Sequence, residues 1–349
     1  MQIIKLSQLK SVINHVVMEE HEPIMVVGPS GAGKTEVVEQ AAEEHGAMLV
    51  KILLGQYDTV DLKGSPWVMD IAPEGSTFSA TVWHPATTLP FKGNPRFPID
   101  RPIFLFLDEL TSATVPVMGI CYQLTNERRI GEFELMDNVE IICAGNREQD
   151  KGIVNRMPMP LNNRLTHFEV AVDVDGWCKW AQNKGLPPVG IAFMQFRKPL
   201  LHDYDPAKPA KVFASPRTWR KALKYYASTT MPHDVKLASM AGAVGEGPAN
   251  EFWGFVTVWQ QVGALMKDIL QNPTTAEIPS KADMQFAVAI SLSGSMTKKN
   301  TPTIYAYLKR MSVEFMVVAW QMAINRDSSL FETNEFLEFT KKYKVVFEA

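Results

Sequence analysis

The sequence predicts an α/β protein, with a doubly wound parallel sheet of five strands in its first half and only helices in its second half. Five short apolar runs alternate with helical patterns in the first half, which is typical of βαβ units. These runs cover residues 24–27, 47–52, 103–107, 139–144 and 168–172. Strand signals fade after about residue 175. We therefore predict an α/β core over residues 1–175 and a helical part over residues 176–349.

Local patterns define the remaining elements. An apolar stripe at helical spacing predicts a helix over residues 3–20. Turn residues and aromatic side chains fill residues 55–100, and so long a stretch in a compact domain is usually functional or carries small elements of its own. Residues 128–138 predict a small hairpin ahead of the fourth strand. Ser215 and Pro216 suit the cap and first position of a helix. Further helices are predicted over residues 177–184, 251–270 and 303–325.

Composition excludes several classes of protein. The 349 residues carry a net charge of −3, which provides no general attraction to nucleic acid or to anionic membranes. No run of apolar residues is long enough to span a bilayer, and the amino terminus lacks the pattern of a signal peptide. The three cysteines are an odd number without metal-binding spacing. We therefore expect a cytoplasmic protein with reduced thiols and no membrane span.

A phosphate-binding motif lies between the first strand and the following helix. The segment reads G-x-x-x-x-G-K-T, the Walker A pattern, and its residues are Gly28, Pro29, Ser30, Gly31, Ala32, Gly33, Lys34 and Thr35. Glycines allow the backbone to turn its N–H groups inward, and the helix start adds positive potential. Lys34 is expected to reach the β- and γ-phosphates, and the Thr35 hydroxyl to bind Mg²⁺. The motif predicts binding of a nucleoside triphosphate.

A pair of acidic residues, Asp108 and Glu109, ends the third apolar run. In parallel α/β sheets ligands bind beyond the carboxyl ends of the strands, where both residues are expected. This is the Walker B arrangement. Asp108 is expected to complete the Mg²⁺ shell, directly or through water, and Glu109 to polarise the attacking water.

Two further side chains are candidates for the same site. Asn146 closes the fourth strand, where its amide is expected to orient water between Glu109 and the γ-phosphate. Arg217 lies in the first turn of a predicted helix, where the helix dipole opposes a cation. That unfavourable place suggests that Arg217 points at a phosphate.

A third candidate, Arg164, is expected to act on a neighbouring subunit. It suits an arginine lent to the γ-phosphate of the next protomer. Arg156 and Arg147 are alternatives for the same role.

Taken together, these motifs resemble those of AAA+ ATPases, specifically the MoxR-like branch. The resemblance covers about residues 5–270 and rests on segments 28–35, 104–109, 144–147, 163–165 and 215–217, with the hairpin before the fourth strand. It implies a P-loop NTPase core over residues 1–175, followed by a helical lid and a carboxyl-terminal helical extension over residues 176–349.

The resemblance also implies roles for single residues. Asn146 is the sensor-1 residue, Arg164 the arginine finger and Arg217 the sensor-2 arginine. The finger usually precedes an aromatic residue, whereas Leu165 follows Arg164 here. Arg156 in the preceding loop therefore stays an alternative finger.

The function implied is Mg²⁺-dependent ATP hydrolysis by a homo-oligomeric ring, hexameric in most members, that remodels a client protein. MoxR-like ATPases often act with a partner that contains a von Willebrand factor A domain. One alternative is a DNA-acting AAA+ motor or loader, which would need a local basic groove. Another is an ATP-binding switch that rarely hydrolyses ATP. The aromatic stretch 78–97, with Lys92 and Arg96, is a candidate pore loop that binds a nucleic acid or polypeptide, or else a cover for the sheet.

Overall fold

The computed structural model of the chain describes residues 3–70, 79–150, 155–207 and 210–343. The chain divides into two compact units. The first unit comprises Met1–Gly176, Tyr204–Lys211 and Ser215–Arg217, and the second comprises Trp177–Asp203, Val212–Ala214 and Thr218–Ala349.

The first unit is built on a parallel sheet. The strands of the described residues are β1 Ile3–Lys5, β2 Ile24–Val27, β3 Met48–Leu53, β4 Ser65–Asp70, β5 Ser79–His84, β6 Ile103–Asp108, β7 Arg129–Ile130, β8 Phe133–Glu134, β9 Val139–Gly145 and β10 Thr166–Ala171. Six of them form one sheet in the order β1-β10-β2-β9-β6-β3, with every neighbouring pair parallel. Strands β6 and β9 are buried throughout, as expected for central strands with near-continuous apolar sequences. The predicted doubly wound α/β fold is confirmed, with six strands rather than five.

The sixth strand replaces part of a predicted helix. Instead of one helix over residues 3–20, the chain forms β1, a 3-10 turn over Leu6–Gln8, a short helix over Leu9–Val12 and π-helical turns over Ile13–Glu19. Pairing of β1 with the edge of β10 provides backbone hydrogen bonds that local periodicity does not reveal. The prediction of helix at residues 3–5 was therefore wrong.

In the first unit, helices pack on both faces of the sheet. Other helices make up the second unit. The α-helices of the described residues are α1 Leu9–Val12, α2 Lys34–Glu44, α3 Thr59–Lys63, α4 Val115–Glu127, α5 Met159–Asn162, α6 Val174–Asn183, α7 Pro188–Phe196, α8 Pro216–Ala227, α9 His233–Val244, α10 Glu246–Gln271, α11 Ala282–Ser295, α12 Thr301–Leu308, α13 Val313–Arg326 and α14 Asn334–Lys342. In the described residues after Ala171, every named element is a helix, apart from one isolated bridge between Asp203 and Ala214. The predicted helical second half is confirmed. Across the ranges described, we find no helix with the length and apolar character needed to cross a bilayer.

Two apolar clusters fix the sheet between its helices. One face packs Val38, Ala41 and Ala42 of α2 against Phe104 and Phe106 of β6. The other face packs helix α4 against alternate residues of the same strands. Because α2 is held this firmly, the loop that precedes it lies at a fixed place beyond the carboxyl end of β2.

Two antiparallel hairpins leave the sheet. The predicted hairpin before the fourth predicted strand is present as β7 and β8. A second hairpin, β4–β5, lies within the long aromatic stretch. Both its faces are exposed to solvent: Trp67 is 63% exposed, Val68 69% and Trp83 39%. Phe78, at the start of the candidate pore loop, lies outside the described residues.

Candidate active site

The phosphate loop, residues 28–33, joins β2 to α2 and is shaped by its glycines. Gly31 and Gly33 have φ values of 74° and 111°, in the region that favours glycine. Gly28 has no room for a side chain, since a Cβ there would lie 2.5 Å from Cγ2 of Val170 and 2.9 Å from its carbonyl oxygen. The loop therefore needs glycine at these positions for conformational and steric reasons.

The start of α2 is open to an anion. Gly33 precedes the helix and provides no side-chain cap for the first-turn N–H groups. Helix α2 runs over 11 residues, so its amino-terminal end carries the positive end of a full helix dipole. This is the arrangement in which a loop and a helix end together bind a phosphate.

Lys34, the first residue of α2, has its ammonium group directed into the phosphate loop. Its Nζ donates to the carbonyl oxygens of Gly28 over 2.8 Å and Pro29 over 3.1 Å. A longer bond of 3.4 Å reaches Oδ1 of Asn146. The side chain is only 8% exposed. Lys34 and Asn146, which are far apart in sequence, are thus brought together.

Burial affects the protonation of Lys34. It lowers the pKa of this lysine from 10.5 to about 8, because desolvation disfavours the ammonium form. The nearby carboxylates of Asp108 and Asp150 act in the opposite direction. A polyphosphate in the loop would supply the missing negative charge.

Thr35 and Asp108 meet at the predicted metal position. The Thr35 hydroxyl donates to Oδ2 of Asp108 over 3.0 Å, although the two residues lie on different elements. Oδ1 of Asp108 accepts from the backbone N–H of Glu109, also over 3.0 Å. A hydroxyl and a carboxylate oxygen are suitable ligands for Mg²⁺ beside phosphate oxygens and water. The donor set therefore fits the predicted metal.

Glu109 follows the buried strand β6 and has an unusual backbone conformation. Its φ of 58° lies in the left-handed region, which is uncommon for residues other than glycine and is enriched at functional sites. The side chain is exposed, and its Oε2 would lie 3.1 Å from a Cβ on Gly55. The sharp turn directs Glu109 away from the sheet while Asp108 stays buried.

Asn146 is positioned by Thr111. The Asn146 N–H donates to Oγ1 of Thr111 over 3.0 Å. A Cβ on the preceding Gly145 would lie 2.6 Å from Cγ2 of Thr111 and 2.8 Å from Cε of Met25. Glycine at position 145 is therefore required for Asn146 to approach this threonine.

Arg217, the second residue of helix α8, lies beside the phosphate loop. Its backbone N–H donates to the carbonyl oxygen of Gly31 over 3.3 Å. A Cβ on Gly31 would lie 2.8 Å from Oγ of Ser215. The Arg217 side chain is exposed. The segment Ser215–Arg217 thus contacts the phosphate loop within the first unit.

Arg164 is the predicted site residue that lies away from the phosphate loop. It is exposed and lies two residues before Thr166, which pairs with Ile24 at the amino end of β2. The phosphate loop follows Val27, which pairs with Glu169. Measured along the strand direction, Arg164 therefore lies roughly 10 Å or more from the phosphate loop of its own chain.

The two alternative arginines have different surroundings. Arg147 forms ion pairs with the buried Asp150, its Nη2 lying 2.8 Å from Oδ1. Arg156 is exposed, and the preceding Asn155 is held by a bond of 2.7 Å from its N–H to the Thr111 carbonyl oxygen. Of the two, Arg147 already has a carboxylate partner in its own chain.

Sequence reasoning missed three features of this site. Thr111 anchors Asn146, a role that no local pattern indicates. The hydroxyl of Tyr204 donates to the Asp150 carbonyl oxygen over 2.6 Å, a contact between distant segments that no local pattern indicates. Lys51 lies 3.7 Å from Asp108. The sequence does contain an indication of this role, because Lys51 is a charged residue within an otherwise apolar strand.

The residues around this site match a known protein family. Residues 23–165 match the AAA domain family, dynein-related subfamily. Among solved structures, NtrX from Brucella abortus in complex with ADP is 14% identical, covers 97% of this chain and 68% of its own, and gives a TM-score of 0.40. Hsp104 with ATPγS and FITC-casein is 16% identical, covers 77% of this chain and 46% of its own, and gives a TM-score of 0.36. Neither low-scoring similarity bears on function.

The matched region contains the phosphate loop, Lys34, Thr35, Asp108, Glu109, Asn146 and Arg164. The matched residues therefore have the features of an AAA domain, and the protein binds ATP and is an ATPase. The predicted nucleotide-binding P-loop fold is confirmed.

Proposed function

We propose that this protein is a Mg²⁺-dependent, MoxR-like AAA+ ATPase that assembles into a ring, hexameric as in most members, and remodels a client protein in the cytoplasm. The observation that carries the catalytic part is the contact between Thr35 and Asp108. It joins the end of the phosphate loop to the end of β6 and places two metal-binding oxygens together.

The hydrolytic step follows from the roles of the residues. Lys34 binds the β- and γ-phosphates. Thr35 and Asp108 would hold Mg²⁺, which would neutralise charge on the phosphates. Glu109 accepts a proton from the attacking water as the new bond to the γ-phosphorus forms. The bond from the γ-phosphorus to the bridging oxygen breaks, and ADP leaves with that oxygen. Asn146 orients the water and contacts the γ-phosphate.

The ring accounts for Arg164. This arginine is exposed and lies toward the amino end of the strands, away from the phosphate loop of its own chain. A cation in that place can serve as a finger only in a neighbouring protomer. Arg156 is the alternative finger, whereas the ion pairs of Arg147 with Asp150 argue against Arg147.

Arg217 connects the nucleotide with the helical part. We assign residues 1–175 as the nucleotide-binding core and residues 176–349 as the lid with its extension. The backbone of Arg217 bonds to Gly31, and its helix α8 continues from the first unit into the second. Loss of the γ-phosphate would change the contacts of Arg217 and so move the helix that begins there.

The hairpin β4–β5 favours a polypeptide client over DNA. It exposes Trp67, Val68 and Trp83, which is the kind of surface that contacts apolar chain segments. The cations considered for a polymer groove are engaged elsewhere. Lys92 pairs with Glu134 and Asp137, and Arg96 donates to Thr87. The family resemblance adds a partner with a von Willebrand factor A domain.

The decisive variant is Glu109→Gln, which should retain ATP and lose turnover. We expect its ATPase rate to fall about a hundredfold to ten-thousandfold, since a general base contributes that much. With ATP and Mg²⁺ the variant should elute as a ring-sized species that retains client protein. Glu132→Gln, at an exposed glutamate in the β7–β8 turn, is the matched control.

Two results would contradict the proposal. If Glu109→Gln hydrolyses ATP at the parent rate, Glu109 is not the base. If duplex DNA strongly stimulates the parent ATPase and salt abolishes the effect, the DNA-acting alternative is correct.

A further inference from the structure

Lys51 is the one charged residue of strand β3, whose sequence is Met-Leu-Val-Lys-Ile-Leu. It occupies an inner position of this strand, on the face that carries Leu49. Leu49 packs in the cluster that joins helix α2 to the sheet. A lysine on that face needs a specific partner or a route to water.

The partner of Lys51 is Asp108. Its Nζ lies 3.7 Å from Oδ2 of Asp108, the same oxygen that accepts the Thr35 hydroxyl. Strand register explains the contact, because Leu53 pairs with Asp108 and Lys51 pairs with Phe106. Lys51 and Asp108 are therefore diagonal neighbours on one face, within reach of a long side chain.

The burial of Asp108 gives its contact with Lys51 an energetic role. Its side chain is 11% exposed, whereas that of Lys51 is 34% exposed. A carboxylate that has lost most of its water needs compensating charge or hydrogen bonds. Its two hydrogen bonds, from Thr35 and the Glu109 N–H, come from neutral donors, and Lys34 acts on it at longer range without an ion pair. Lys51 is the cation that forms an ion pair with it in the described part of the chain.

A second explanation for this lysine exists. Strand β3 is an edge strand, and natural proteins often place lysine on edges to prevent strand pairing. A lysine with only that role would extend into solvent and would be indifferent to Asp108. The distance to Oδ2 and the shared oxygen with Thr35 favour a role in the active site.

We propose that Lys51 is the counter-cation of Asp108 in the nucleotide-free site and competes with Mg²⁺ for this carboxylate. The inference rests on the proposed function, because it assumes that Asp108 serves the metal. Two cations cannot share Oδ2 without repulsion. Lys51 must therefore withdraw toward solvent when the metal-nucleotide complex enters, and its partly exposed side chain leaves that route open.

Lys51 thereby raises the Mg²⁺ concentration at which the site loads. Its positive charge also stabilises the buried, charged carboxylate of Asp108 while the site is empty. Both effects disappear when the charge at position 51 is removed, and both persist with arginine. These expectations separate a competing cation from a surface lysine.

The test titrates Mg²⁺ at a fixed concentration of fluorescent N-methylanthraniloyl-ADP and follows equilibrium binding rather than turnover. For Lys51→Met we expect the half-saturating Mg²⁺ concentration to fall about fivefold, as for removal of a partly exposed ion pair. Lys51→Arg should match the parent. Lys92→Met removes a lysine paired with Glu134 and Asp137 outside the site and is the matched control.

The outcomes distinguish this inference from the proposed function. An unchanged or increased Mg²⁺ requirement in Lys51→Met overturns the competition. A parent protein that binds no nucleotide at any Mg²⁺ concentration refutes the proposed function instead.

A second measurement does not depend on nucleotide. Without Mg²⁺ and nucleotide, Lys51→Met should lower the melting temperature more in the parent than in an Asp108→Asn background, since the two residues are coupled. Equal effects in both backgrounds would show that the two side chains do not interact, and would overturn the inference as well.

Discussion

The hydroxyl of Thr35 donates a hydrogen bond of 3.0 Å to Oδ2 of Asp108. Thr35 lies in the first turn of α2 and Asp108 at the end of β6. The two side chains form a metal-binding pair only when these two elements lie side by side. The bond is possible because the apolar face of α2 packs against Phe104 and Phe106 of the same strand. Core packing thus brings the ends of the two motifs together.

The first prediction concerns Lys34. Lys34→Ala should weaken ATP binding about a hundredfold, because charge-assisted hydrogen bonds to phosphate are lost. Isothermal titration calorimetry measures the change, with Lys92→Ala as a control lysine that lies on another surface. Parent-like affinity in Lys34→Ala would mean that the nucleotide does not occupy the phosphate loop.

The second prediction concerns pH. Burial lowers the pKa of Lys34 to about 8 in the free protein, and a bound phosphate should raise it. Since the protonated lysine binds phosphate, ATP affinity should be constant below pH 8 and fall toward tenfold per pH unit above it. Calorimetry between pH 7 and about pH 9.5 tests this. The residual affinity of Lys34→Ala should lack this dependence.

The lowered pKa of Lys34 has the opposite effect on the stability of the ligand-free protein, which should rise with pH while ATP affinity falls. Between pH 8 and 10.5 the unfolded chain binds a proton at Lys34 that the folded chain has released. The free energy of unfolding should therefore contain a Lys34 contribution that rises with pH across this window. Denaturant unfolding of the parent and Lys34→Met, compared at pH 7.5 and pH 10, isolates it. The parent should gain stability relative to Lys34→Met at the higher pH.

A third prediction uses two glycines. Gly145→Ala should destabilise the protein by about 1 to 3 kcal/mol and impair turnover, because its Cβ would meet Thr111 and Met25. Gly119→Ala in α4 is the control. A Cβ there meets no atom within 4 Å, and alanine should stabilise this helix by up to about 1 kcal/mol. Chemical denaturation gives both values, and equal effects would contradict the steric argument.

The fourth prediction tests the neighbouring-subunit role of Arg164. Arg164→Ala should bind ATP like the parent but lose at least a hundredfold in turnover. Mixing it with Lys34→Ala should restore activity, because some interfaces then combine an intact loop with an intact arginine. Arg156→Ala, mixed in the same way, decides between the two candidate fingers. Failure of both mixtures to regain activity would exclude complementation between subunits.

The sequence by itself determined the α/β class, the helical second half and the Walker segments. Buried parallel strands such as β6 read as continuous apolar runs, and the glycine pattern of the phosphate loop reflects local backbone geometry. These features depend on neighbouring residues in the chain, so they are visible without coordinates. The predicted site roles of Glu109, Asn146, Arg164 and Arg217 stay predictions.

Only the tertiary structure decided what depends on contacts between distant segments. It made residues 3–5 a strand, because the edge of β10 provides hydrogen bonds that outweigh a weak helical pattern. It placed Thr111 against Asn146, Ser215 against Gly31 and Lys51 beside Asp108. Such pairs are set by strand register and helix packing, which are properties of the whole fold and leave only faint traces in local sequence.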